Sequence, residues 1–252
     1  MFGAQKQKRT LRNTTAFGLC IFLSLNPISA QAKNYIFFDG NSLVAGYPDN
    51  ASATGGNTTF PNGTDFPSDV MKELGKDWIG YNVGISSRTL PQQNYDFDAT
   101  VKPLIEKAKK DHAGRIIVIN GGEPGNMMYA TPGQGGPALQ AAAYDALKEY
   151  ATKVHNAGAE FLDITMPSRG FDGGADNNLQ VDVQQVNRLI VKNCVRDHAC
   201  DVVIDLAADP RMQRISNLRY YAAGSHFTAE GYKIWADYVV KGLKETSHLP
   251  LK

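Results

Sequence analysis

Apolar residues along this chain fall into short near-continuous runs, separated by stretches where they recur every three or four positions. The runs cover 35–38, 78–83, 115–119, 160–165 and 201–206. Each has the length and the β-branched and aromatic content of a strand buried on both faces. Between them, Val101, Leu104, Ile105 and Ala108 are spaced for a helix over 100–110. An Ala-rich helix is predicted over 137–156, with Pro137 at its start and Gly158 just past its end. Further helices are predicted over 66–74, 179–196 and 228–245, the last with Thr228 as its N-cap. Five strands, each followed by a helix, predict a five-stranded parallel sheet covered on both sides. Ligand sites in such sheets lie beyond the carboxyl ends of the strands. Candidate chemistry is therefore sought just after residues 38, 83, 119, 165 and 206. Residues 46–64 and the Gly-rich stretch 131–136 read as loops.

Composition changes this picture mainly at the N-terminus. The chain has 252 residues, 42% apolar and 20% charged, with a net charge of +1. That is ordinary for a globular protein and excludes a disordered tail, a collagen-like repeat or a polybasic arm. Residues 1–32 contain Lys6, Lys8, Arg9 and Arg12 but no acid, then a nearly apolar run at 16–25, Pro27, and Ala30-Gln31-Ala32. Charged region, short apolar region and small-x-small ending form the pattern of a secretory signal peptide. The apolar run is half the ~20 residues needed to span a bilayer. Cleavage after Ala32 is expected, leaving residues 33–252 as one secreted or periplasmic domain and removing Cys20. That domain carries 22 basic and 25 acidic residues, a net −3, so neither nucleic acid nor an anionic membrane is an expected partner. Export places Cys194 and Cys200 where disulfides persist, and a structural disulfide between them is expected. Asn50, Asn57 and Asn62 stand in N-x-S/T sequons.

The strand ends carry the candidate chemistry. Asp39-Gly40-Asn41-Ser42-Leu43 follows the first strand, and Asn82-Val83-Gly84-Ile85-Ser86 the second. Asn120-Gly121-Gly122-Glu123-Pro124-Gly125-Asn126 follows the third, and Gly224-Ser225-His226-Phe227-Thr228 precedes the last helix. A serine hydroxyl is a weak nucleophile until an imidazole takes its proton. Backbone N–H groups on glycine turns, with a side-chain amide, can hold the oxyanion of acyl transfer. Ser42 is thus the candidate nucleophile and His226 the base. Gly84 and the N–H of Ser42 are candidate oxyanion donors.

These blocks resemble the SGNH (GDSL) hydrolases, esterases and lipases on a flavodoxin-like α/β/α sandwich, over about residues 34–246. Gly40-Asn41-Ser42-Leu43 is similar to the family's Gly-Asp-Ser-Leu, Asn82–Ser86 to its second block, and His226-Phe227-Thr228 with Gly231-Tyr232 to its last. No G-x-S-x-G motif of the α/β-hydrolase kind is present. Three departures stand out. Asn41 replaces the family's Asp, which reads as a mild change in a local turn-former. In the third block Glu123 or Pro124 falls where the family has an oxyanion-binding Asn, leaving Asn126, and less well Asn120, to supply an amide. Ala223 replaces the Asp that orients the histidine.

The resemblance implies a monomeric, cofactor-free hydrolase of carboxylic esters, with carbohydrate O-acetyl esters as a candidate class, working through a Ser42–His226 dyad. A main-chain carbonyl near residues 222–223 would fix the histidine tautomer. Asp39 and Glu123 are candidate substitute acids. The alternative is a non-catalytic protein that uses this scaffold to bind an ester or glycan. The other histidines lack ligand spacing, so no metal site is expected, and the first strand turn lacks the GxGxxG of a nucleotide binder. Met127, Met128, Tyr129, Tyr47, Phe171, Tyr220 and Tyr221 are candidate liners of an acyl or sugar pocket.

Overall fold

The computed structural model describes residues 32–46, 65–130, 135–167, 177–222 and 226–246. The expected leader before Ala32, its cleavage, the sequons, Tyr47, Phe171, Ala223 and most of the Gly-rich loop lie outside the described residues, as do the side chains of Met128 and Tyr129. In chain order the elements are β1 (Asn34–Gly40), α1 (Ser42–Ala45), α2 (Phe66–Leu74), β2 (Trp78–Asn82), α3 (Leu90–Thr100), α4 (Lys102–Lys110), β3 (Ile116–Gly121), α5 (Gly125–Ala130), α6 (Pro137–Asn156), β4 (Glu160–Ile164), α7 (Asn177–Asn193), β5 (Val202–Ile204) and α8 (Ala229–Thr246). The strands form one parallel sheet in the order β2-β1-β3-β4-β5. Helices α2 and α8 pack together over one face, while α3, α6 and α7 pack together over the other. The layers are those that the alternation of strand and helix predicted, and the strand order is that of the flavodoxin-like α/β/α sandwich the resemblance implied.

Three helices depart from that expectation. A helix α3 precedes the predicted one, and the two meet at Val101. Its weak signal has a physical cause: of its four buried residues, Gln93 and Asn94 are polar, so no apolar stripe marks its inner face. Gln92 caps it locally, its side-chain carbonyl accepting from Thr89 N–H and hydroxyl. Pro103 lacks a donor and crowds the preceding turn, so the chain breaks just before it. The other two are α1, a single turn directly after β1, and the short α5, both in segments for which no helix was predicted. Elsewhere Thr228 does cap α8, its Oγ1 accepting from Gly231 N–H at 3.2 Å. Cys194 and Cys200 are joined by a disulfide just before β5.

Successive residues of β1 face opposite layers. Phe37 and Asp39 face α6, whose Tyr150 hydroxyl donates to Asp39. Phe38 faces α2 and α8. There the rings of Phe38 and Phe66 lie 5.7 Å apart, Phe66 and Trp235 4.9 Å, and Trp235 and Phe227 5.3 Å. All four are fully buried. The aromatic column thus runs from the strand that ends at Ser42 to the segment that carries His226. Truncation of Trp235 would leave a void that its packed neighbours cannot close. Trp235→Ala is expected to cost about 3–5 kcal/mol of stability, measured by urea unfolding.

Candidate active site

Ser42 is the first residue of α1, so its N–H has no partner within the helix. The turn that presents it is held from three sides. Asn41 caps α1, its Oδ1 accepting from Leu43 N–H at 2.9 Å. The same side chain donates through Nδ2 to the Gly122 carbonyl at 2.7 Å and to Glu123 Oε1 at 3.0 Å. From β2, Asn82 Nδ2 donates to the Val44 carbonyl at 2.8 Å. Gly84 packs directly against this turn: a Cβ there would lie 2.6 Å from Ala45 N and 3.1 Å from the Asn41 carbonyl oxygen. Only glycine allows the second-block loop to approach so closely.

His226 reaches Ser42 from 184 positions along the chain, its Nε2 lying 3.0 Å from Ser42 Oγ. Its backbone belongs to an antiparallel bridge between Tyr221 and Phe227. Ala222 N–H donates to the His226 carbonyl at 2.9 Å, and Thr228 N–H to the Tyr220 carbonyl at 3.0 Å. Phe227 is driven into the aromatic column, which leaves the imidazole one residue earlier at the rim, half-buried beside a largely buried serine. With Nε2 unprotonated, the Ser42 hydroxyl donates to it, as a nucleophile and its base require.

The other candidates have definite partners. The Gly84 N–H donates to Asn82 Oδ1 at 3.0 Å. Asn126 Nδ2 donates to the Arg88 carbonyl at 2.9 Å, and its backbone N–H to Glu123 Oε2 at 3.2 Å. Asn120 Nδ2 donates to Asp163 Oδ1 at 2.7 Å. Glu123 is wholly buried, its carboxyl shared between Asn41 and the Asn126 backbone, and the peptide bond to Pro124 is cis. Asp39 accepts from Gly40 N–H at 2.8 Å, from the Tyr150 hydroxyl and from Arg88 Nη2. The two carboxyls considered as substitute acids are therefore engaged in holding the turn that presents Ser42. Tyr221 is not a pocket liner: it is buried against Phe227, with its hydroxyl on the Met212 carbonyl. Tyr220 is half-buried against the core, with the Arg219 guanidinium over its ring. Among the described residues, no group of three or more His, Cys, Asp or Glu side chains is placed to hold a metal ion, and no helix is long and apolar enough to cross a membrane.

Two supports of the site escape sequence reasoning. Arg88 is almost wholly buried, and its Nη2 reaches Asp39, the Gly40 carbonyl at 3.3 Å and the Val83 carbonyl at 3.1 Å. One cation thus ties the ends of β1 and β2, which carry Ser42 and Gly84. Burial pulls its pKa down, while Tyr150, Asp96 and Glu123 oppose that shift. The sequence signal was an arginine four residues after Gly84, with nothing to pair it to Asp39. The second support is the Asn41–Glu123 contact. Asn41 is more than a local turn-former. An aspartate at 41 would set a second buried carboxylate against Glu123, whereas an amide donates to it. The departures at 41 and 123 are two halves of one hydrogen bond.

Register places Asp39, Asn120 and Asp163 side by side across β1, β3 and β4. Complete burial raises the Asp163 pKa to about 8, against a smaller lowering by the Asn120 bond.

No protein-family model and no curated protein matches the sequence. Solved structures do match its fold. A lipase/acylhydrolase from Enterococcus faecalis is 19% identical, with 87% of this chain and 98% of that chain covered at a TM-score of 0.59. An acetylxylan esterase from Geobacillus stearothermophilus is 13% identical, with 84% and 94% covered at 0.60. A member of the lipolytic protein G-D-S-L family from Veillonella parvula is 17% identical, with 83% and 98% covered at 0.55. The chain therefore has the fold of the SGNH hydrolases.

Two outcomes are expected from these contacts. Asn41→Asp should destabilise the protein by about 1–3 kcal/mol near neutral pH, and by less in acid, where a proton shared with Glu123 restores the bond. The double variant Asn41→Asp/Glu123→Gln, which reverses the amide and the acid, should recover most of the loss in urea unfolding. For Asp163, a folded-state pKa above the unfolded 3.8 means that the folded protein binds the extra proton. Its contribution is complete below about pH 4 and is lost as pH rises through about 8. Asp163→Asn should flatten that decline, with the largest gain over the natural protein above pH 8 in thermal unfolding followed against pH.

Proposed function

We propose that the protein is a serine esterase that removes an acyl group, of the O-acetyl kind carried by carbohydrates, through an acyl-enzyme on Ser42. The observation that carries this reading is the 3.0 Å approach of His226 Nε2 to Ser42 Oγ. Ser42 Oγ attacks the ester carbonyl as its proton passes to Nε2. The imidazolium then returns that proton to the departing alkoxide. A water molecule, deprotonated by the same nitrogen, releases the acid.

The oxyanion meets the unsatisfied N–H of Ser42 first. Gly84 N–H and Asn126 Nδ2 complete the hole by exchanging their present acceptors, the Asn82 amide oxygen and the Arg88 carbonyl, for a charged oxygen. Hydrogen bonds to an ion are about twice as strong as neutral ones, which favours the exchange. Position 223 is Ala, so the family's usual carboxylate is not supplied from there, and the bridge between Tyr221 and Phe227 holds the backbone that carries the imidazole. Loss of the triad acid lowers rates by up to ~10⁴-fold, and a slow enzyme is expected.

A second reading has one observation in its favour. Because Gly84 and Asn126 already donate elsewhere, the scaffold could bind an ester or glycan without turning it over. Hydrolysis of p-nitrophenyl acetate and labelling by a fluorophosphonate separate the two. A catalytic dyad predicts that Ser42→Ala and His226→Ala each lower the rate by about 10³-fold or more, and that label is attached at Ser42. Equal rates for Ser42→Ala and the natural protein, with no label at Ser42, would leave the binding reading standing.

A further inference from the structure

A cleft of about 700 Å³ lies between α7 and the turn that follows β5. Ser42, Gly84 and His226 are not among the residues lining it. Counting strands from β1 through β3 and β4 to β5, at about 4.8 Å each, places it roughly 10–15 Å along the carboxyl edge from the nucleophile's strand.

One wall is a ridge of α7, with Gln184, Arg188 and Lys192 one helical turn apart. Two cations four residues apart repel one another unless an anion sits between them. Neither has an acid partner among the described residues, whereas Arg196, Arg211 and Arg219 are each paired with a carboxylate. The ridge spans about 12 Å of helix, room for more than one sugar ring.

The floor is built firmly. Asn187 is locked onto the Met166 backbone by two hydrogen bonds, accepting from its N–H at 3.0 Å and donating to its carbonyl at 2.7 Å. Opposite the ridge stand Asp205, Ala207 and Gln213. Thr165 donates to Asp205 Oδ1 at 2.9 Å and accepts from Ala207 N–H at 2.9 Å, which fixes that wall to the end of β4. Asp205 Oδ2 accepts nothing among the described residues.

We infer that this cleft is a second, non-catalytic binding site for an acidic oligosaccharide. The pair Arg188 and Lys192 supplies the charge for a carboxylate on the sugar. Gln184, Gln213 and Asp205 offer the amide and carboxylate groups that bond vicinal hydroxyls. Small apolar surfaces at Ala207 and Val191 suit the C–H faces of a pyranose. A bare inorganic anion would use only the cations and be repelled by Asp205. A nucleic acid would need more positive charge than two side chains provide. The site stands whether or not Ser42 is a nucleophile, and its test involves no ester.

The probe is trigalacturonic acid, with neutral maltotriose beside it, titrated calorimetrically into the natural protein and into Arg188→Ala/Lys192→Ala at low ionic strength. The acidic trimer is expected to bind at least tenfold more tightly than the neutral one. The double variant should lose at least tenfold of that affinity, with its rate on p-nitrophenyl acetate unchanged. Both side chains are exposed, so the thermal midpoint without ligand should not move. If the double variant does not fold, Arg188→Gln and Lys192→Gln singly carry the same comparison. Absence of binding by trigalacturonic acid, equal affinity for the two trimers, or equal affinity in the charge-deleted protein would each overturn the proposal.

Discussion

The structure turns on an aromatic column that joins the beginning of the domain to its end. Phe38 from β1, Phe66 from α2, Trp235 from α8 and Phe227 just ahead of α8 stack through the layer on one side of the sheet. Ser42 sits four residues beyond the first of these rings, and His226 is adjacent to the last. Burying large rings is favourable wherever they meet. Here the meeting also fixes which hydroxyl faces which imidazole. The contact between Ser42 and His226 is thus a product of packing: the polar contact at the rim is held in register by an apolar one beneath it.

On the opposite face the same strand end is stabilised by charge. Asp39, Arg88 and Tyr150 form a buried cluster in which one guanidinium reaches the ends of two strands. Such a cluster resists change, because removal of either charge strands the other away from water. Burial keeps the Tyr150 phenol protonated, by pushing its pKa up, so it remains a donor. Between this cluster and the aromatic column, the turn bearing Ser42 has little freedom to move.

The Asn41–Glu123 bond shows how two departures from the SGNH sequence pattern can support one another. Taken singly, an amide at 41 is a small change and an acid at 123 is a disruptive one. Together they keep a donor facing an acceptor at the same place beneath the nucleophile's turn. The arrangement supports the turn that presents Ser42. A carboxyl tied into the fold in this way is a poor candidate to orient the histidine, and Asp39 is likewise occupied.

Much of this protein was legible in the order of its residues. Near-continuous apolar runs alternating with helical spacing specify a parallel sheet because each strand must be buried on both faces. The blocks at Ser42 and Gly84 mark strand ends where such sheets bind ligands, and the block at His226 directly precedes the last helix. Helix α3 was hidden because its inner face uses Gln93 and Asn94 in place of an apolar stripe, and local periodicity reports only apolar burial. The partners of Arg88, Glu123 and Asn126 were hidden for another reason. Hydrogen bonds between residues 38 to 82 positions apart depend on which strand lies beside which. The sequence therefore determined the layers and the candidate nucleophile and base, through short-range patterns of burial. Only the folded sheet decided what each polar side chain at its edge could reach, because that is a matter of distances across strands and leaves no trace in spacing along the chain.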